Sequence, residues 1–234
     1  MTSSHRKKAF TRARVLAGVL LAGLVLSACA AGEAEPSATS ATGEAVDGGT
    51  VRLMAISETA GFDPVRVGSI GTGMERAVAI MDTLLQRDES TDEVYPKLAA
   101  GIESEDGKVW VLTLREGVTF TDGEPLDADA VVFNIERHIA PDSRSQAKSM
   151  LSGLESVEAT GDLEVTFTLS RPSGSFPLAL TGYSPAGLIG SPAALADPEA
   201  FNSAPVGAGP FMLGSWVPDD TPTLGGDPDY WPGG

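Results

Sequence analysis

The sequence holds one cysteine, Cys29, and two histidines, His5 and His138, among 234 residues. A single thiol excludes an internal disulfide, a cysteine-based zinc centre and a cysteine-ligated cluster. Two histidines leave little for metal ligation or for a nucleophile–base pair. Positive charge is also scarce: 16 Lys and Arg stand against 32 Asp and Glu, a formal net charge of −16. Such a chain has little with which to neutralise phosphates, which argues against a nucleic-acid binder. Long apolar runs are missing too. The uncharged run at residues 15–26 is 12 residues long, and a bilayer span needs about 20.

Hydrophobic residues make up 42% and charged residues 21%, the composition of a globular chain of one domain or two small ones. The 27 glycines and 16 prolines predict many loops. Arg6, Lys7, Lys8, Arg12 and Arg14 precede the short apolar run with no acid among them. That order reads as a secretory signal over residues 1–28. Leu26, Ser27, Ala28 and Cys29 close it and resemble the bacterial lipobox, which implies a diacylglyceryl group on Cys29 after cleavage. Removing the signal takes away five basic residues and no acid, leaving 11 against 32 and a net charge of −21. So acidic a body gains no electrostatic hold on anionic lipid head groups, so the lipid itself must provide the attachment. Residues 29–48 are rich in Ala, Gly, Ser, Thr and Glu, cannot offset their ordering entropy by burial, and read as a flexible tether.

The folded domain is expected over residues 49–234. Residues 50–56 read as an apolar strand. Met74, Val78, Met81 and Leu85 share one face of a helical stretch. Gly71 and Gly73 before it lack the third glycine of a dinucleotide fingerprint. Residues 109–114 are almost all apolar and read as a strand covered on both faces. Asp127 suits the N-cap of a second helix, on which Val131, Ile135 and His138 share a face. His138 therefore reads as structural. Residues 157–160 and 163–169, joined at Gly161 and Asp162, predict a hairpin with Glu164, Thr166 and Thr168 on its wet face.

Trp110, Leu112, Leu114, Arg115, Gly117, Val118, Phe120, Asp122, Gly123, Pro125, Leu126, Ala128, Val131, Val132 and Phe133 form a spaced signature. It resembles that of the family 5 extracellular solute-binding proteins, the peptide- and nickel-binding receptors of ABC importers. Further landmarks follow the family's order. They are Phe62-Asp63-Pro64, Pro96 with Leu98 and Ala99, the loop Pro205-Val206-Gly207 with Gly209-Pro210-Phe211, and Asp227-Pro228-Asp229-Tyr230-Trp231. The resemblance covers about residues 49–231 and implies an α/β, type II periplasmic-binding-protein fold, with a mixed sheet and flanking helices. It extends over the first of the family's two lobes only, so the chain is expected to be an incomplete receptor. The rest is either cut from the reading frame or lies elsewhere.

The resemblance implies a substrate-binding lipoprotein, not an enzyme. It would capture oligopeptides or dipeptides outside the membrane, in the periplasmic space or on the outer face. It would deliver them to an ABC permease and its ATPase subunits. It implies no cofactor, and no metal site is legible; nickel or another small solute stays open as cargo. By position, Gly68, Ser69 and Ile70 are the expected backbone contacts to the ligand. The loop carries no acid there to pair with a peptide amine. Tyr183 is a further cleft residue or a packing one, and Trp110, Trp216 and Trp231 read as core. With half of the family's enclosing surface, tight binding is not expected. Two rival readings stand beside this one. A surface scaffold or adhesion lipoprotein would need no cleft. A serine hydrolase would use Ser184, but Gly182-Tyr183-Ser184-Pro185-Ala186 ends one glycine short of a nucleophile elbow, and Pro185 removes an oxyanion-hole donor. Lipidation is directly testable: radiolabelled palmitate is expected to enter the chain in a bacterial host, and Cys29→Ser is expected to abolish the label.

Overall fold

The computed structural model describes residues 48–54, 59, 61–68, 73–217 and 220–231. Cys29, nearly all of the expected tether, Ser69 and Ile70 lie outside these residues. The chain divides into the units Met1–Thr50 and Val51–Gly234, and the fold described here is that of the second.

Two hairpins build the main sheet. Strands β3 (Ala99–Glu103) and β4 (Val109–Leu114) form the first, and β5 (Leu154–Gly161) and β6 (Glu164–Leu169) the second. The spatial order is β3-β4-β6-β5, antiparallel throughout. The described sheet is therefore antiparallel where a mixed one was expected: hairpins join β3 to β4 and β5 to β6, and the longer path from β4 through the following helix and β5 brings β6 back antiparallel beside β4. Alternation in β6 follows the sequence: Val165, Phe167 and Leu169 are buried, and Glu164 is exposed. Strand β4 departs from its expectation. Leu112 and Leu114 are buried, but Val109 is 40% exposed on the other face. An antiparallel sheet carrying a helix on one side can leave its other side wet.

That helix is α2 (Ala128–Ile139), which packs over β5 and β6. Its N-cap is Asp127, whose carboxylate accepts from Ala130 N at 2.9 Å, as the sequence predicts. Its inward face carries Val131, Asn134, Ile135 and His138, all fully or almost fully buried. The Asn134 amide donates to Gly190 O at 2.8 Å and accepts from Gly190 N at 3.2 Å, so it satisfies a loop backbone 56 residues away.

A second apolar cluster surrounds α1 (Met74–Met81). The helix is shorter than its apolar periodicity. Asp82 takes φ 57° and ends it. Leu85 then opens β1 (Leu85–Arg87), which pairs with β2 (Val94–Pro96). The short helices α3 (Pro192–Leu195) and α4 (Pro198–Ser203) and the ribbon of β7 (Phe211–Ser215) and β8 (Thr223–Gly226) complete the element order. The Gly-Pro loop before β7 lies against α1, and Gly209 N donates to Ile80 O at 2.8 Å. A Cβ on Gly207 would stand 2.3 Å from Ile80 O, so only glycine permits this approach.

The expected strand at residues 50–56 is not formed where it is described. Val51, Leu53 and Met54 are 82%, 87% and 98% exposed, and residues 51–54 join no ladder among the described residues. An apolar stretch becomes a strand only where an edge is free to pair with it. Of the tryptophans, Trp231 is buried at 8% exposure. Trp216 stands edge-on to Phe62 with centroids 5.3 Å apart. Trp110 tilts on Phe176 at 6.2 Å.

His138 is structural. It is fully buried, its Nδ1 pairs with Ser145 Oγ at 2.5 Å, and burial followed by the Arg137 charge lowers its pKa from 6.5 to about 4. An unfolded chain takes up this proton below pH 6.5 while the fold refuses it until about pH 4, so stability falls with falling pH across that window and levels off beneath it. The loss amounts to about 3 kcal/mol. Urea unfolding at pH 7 and pH 4.5 is expected to show a smaller acid loss for His138→Gln than for the unchanged chain.

Candidate functional site

Two neighbourhoods carry the residues nominated from sequence. The first is the loop of Phe62, Asp63 and Pro64 that leads to Gly68. Asp63 is only 1% exposed, and a buried carboxylate is costly unless paired. Arg137 on α2 meets it with both arms, Nη1 to Oδ1 at 3.0 Å and Nη2 to Oδ2 at 2.8 Å. Asp63 Oδ1 also accepts from Val65 N at 3.1 Å. On the other side the Asn202 amide oxygen accepts from Phe62 N at 2.9 Å and Asp63 N at 3.2 Å. Arg66 forms an exposed ion pair with Glu199 of α4. The loop is thus bolted to α2 and α4, and Gly68 at its end is buried. Ser69 and Ile70 fall outside the described residues.

The second neighbourhood is a cavity of about 490 Å³ between α1, β1 and the loop bearing Tyr183. Its floor is apolar, with Met74, Val78 and Pro210; Asp82, Lys97 and Tyr183 line its walls. Tyr183 is 53% exposed, and the Arg87 guanidinium lies 5.7 Å from its ring centroid. Arg87 is itself held by an ion pair with Asp92. Tyr183 N donates to Thr181 Oγ1 at 3.2 Å, which fixes the backbone under the ring.

A polar cluster closes the cavity at Asp82. Its Oδ1 accepts from Thr83 N at 2.9 Å and its Oδ2 from the Tyr230 hydroxyl at 2.7 Å. Lys97 Nζ stands 3.7 Å from Oδ2. Burial raises the Asp82 pKa above the usual carboxylate range against the opposing pull of those partners. Burial, then the hydrogen bond to Asp82, pushes the Tyr230 phenol up. Lys97 Nζ lies 5.5 Å from the Trp231 ring and Arg115 Cζ 5.1 Å from it, so the Asp-Pro-Asp-Tyr-Trp motif is clasped between cations and an acid.

The hydrolase geometry is not assembled. Ser184 is 1% exposed and its Oγ accepts from Ala186 N at 3.3 Å as a helix cap, while His138 Nδ1 pairs with Ser145. Among the described residues no group of three or more His, Cys, Asp or Glu side chains is placed to hold a metal ion. No helix among them is long and apolar enough to cross a membrane. Sequence reasoning nominated Gly68 and Tyr183 but missed Asp82, Lys97, Arg137 and Asn202. Asp63 and Arg137 lie 74 positions apart, and nothing in the spacing of either announces the other.

Residues 93–234 match the model for the bacterial extracellular solute-binding proteins, family 5 Middle. The chain belongs to this family of binding proteins. It is 32% identical over 196 residues to Protein XP55 of Streptomyces lividans, covering 81% of this chain and 35% of that one. It is 30% identical over 237 residues to the oligopeptide-binding protein AppA of Bacillus subtilis (strain 168), covering 97% of this chain and 43% of that one. The solved structure of AppA with a nonapeptide superposes with a TM-score of 0.67 at 27% identity, over 75% of this chain and 36% of that one. The fold is therefore that of a type II periplasmic binding protein, and the chain spans well under half the length of these relatives.

Loss of the buried ion pair is expected to be costly. Arg137→Met leaves Asp63 buried without its partner and should remove about 3–5 kcal/mol, read as a lower urea midpoint with an unchanged slope.

Proposed function

We propose that the chain is the substrate-capturing lipoprotein of an ABC importer. It holds oligopeptides or dipeptides outside the membrane and hands them to the permease and its ATPase subunits. The observation that carries this is the apolar-floored cavity beside the exposed Tyr183, in a fold whose relative AppA has been solved with a nonapeptide bound. A pocket with an apolar floor and a few polar groups at its walls is the form that small-ligand sites take. The glutathione-binding protein GsiB of Pectobacterium atrosepticum, 33% identical over 132 residues, supports a small peptide as cargo.

Tyr183 on the cavity wall is the proposed side-chain contact to the ligand, and Gly68, Ser69 and Ile70 are the proposed backbone contacts. The rigid bolting of the loop through Asp63 supports this, since a preorganised backbone loses less entropy on binding. Cys29 carries the lipid, residues 1–28 are removed as its signal, and residues 29–48 tether the domain of residues 49–234 to the membrane. The binding role of the whole family supports a non-enzymatic reading.

The test is a chemical-shift titration of the chain with an oligopeptide library, which reads weak as well as tight affinity. Peptide-dependent shifts are expected, and Tyr183→Ala is expected to weaken them about tenfold, the loss of one aromatic contact of roughly 1–1.5 kcal/mol. Silence of the whole library would refute the reading.

A further inference from the structure

The Lys97 ammonium on the cavity wall is poorly satisfied. Its side chain is 21% exposed, and its ion partner Asp82 stands 3.7 Å away, past the reach of a good hydrogen bond. Both oxygens of that carboxylate already accept from other donors, Thr83 N and the Tyr230 hydroxyl. The other neighbours of the ammonium are ring faces, Trp231 at 5.5 Å and Tyr230 at 5.9 Å. Cation–π attraction offsets part of the cost of desolvation but gives the N–H groups no acceptor. An ammonium has three donors, and the long ion pair with Asp82 at 3.7 Å engages at most one of them.

We propose that Lys97 anchors a ligand carboxylate, so that the cavity is a subsite for carboxylate-bearing solutes with an apolar body. Met74, Val78 and Pro210 would take the apolar part against the floor. The two other acids lining the cavity, Glu75 and Glu89, are exposed, where water and salt screen them. Asp82 is the acid next to the ammonium, and its two oxygens are already held by Thr83 N and the Tyr230 hydroxyl. Because acids outnumber basic residues two to one, the long-range field does not favour anions, and the preference rests on this one contact. The inference deepens the reading above and depends on the cavity being part of the ligand site.

The experiment is a chemical-shift titration of the chain with N-acetylphenylalanine and, separately, with its carboxamide. The acid is expected to bind roughly tenfold to a hundredfold more tightly, the worth of a charge-assisted hydrogen bond. Lys97→Met is expected to erase the difference, and Lys97→Arg, which keeps the charge over the same rings, to retain it. Equal binding of acid and carboxamide, or a preference that survives Lys97→Met, would overturn the inference and leave the solute-binding reading standing. Binding of neither probe would also overturn it, and the broader reading falls only if the peptide library is silent as well.

Discussion

The Asp63–Arg137 pair is the contact on which the architecture of the candidate site rests. A carboxylate at 1% exposure is tolerated only because a guanidinium meets both of its oxygens and the neighbouring backbone donates to one of them. The pair joins a loop of the α1 cluster to the last turn of α2, which otherwise belongs to the sheet. Asn202 repeats the device from α4, and Asn134 repeats it between α2 and Gly190. Each uses one buried or half-buried polar side chain to satisfy backbone or charge brought in from far along the chain. Loops rich in glycine and proline have no ladder to do this for them, so their rigidity comes from a few such groups.

The aromatic clasp at the other side of the cavity works by a different balance. Trp231 and Tyr230 bury apolar surface, and their faces attract Lys97 and Arg115. Asp82 holds the Tyr230 hydroxyl from below. The carboxylate is thereby committed to the fold, and the lysine is left with donors to spare. A chain with so few basic residues places two of them, Arg87 and Lys97, around this cavity beside the acids Glu75, Asp82 and Glu89.

Much of the framework was legible from residue order. The β5–β6 hairpin, its wet and dry faces and the Asp127 cap follow from local periodicity and from hydrogen bonds that span three residues. The family resemblance, carried by the signature from Trp110 to Phe133 and the landmarks around it, agreed with the fold that was found. Other readings failed for a shared reason. The apolar strand at residues 50–56, the two-sided cover over β4 and the long first helix each assumed that apolar character alone decides burial. In the fold, burial was decided by which elements packed alongside, and Asp82 ended α1 four residues before its apolar pattern did.

The sequence by itself determined the periodic elements, their caps, the acidic surface and the family, because each depends on residues close together or on motifs in fixed order. Tertiary structure alone decided that Asp63 would meet Arg137, that Lys97 would lie over Trp231 and Tyr230, and that Tyr183 would face a cavity. Those contacts join positions as far as 148 residues apart, as Tyr230 and Asp82 are. No local propensity encodes such a pairing; it follows only once the core has packed and left particular polar groups in need of partners.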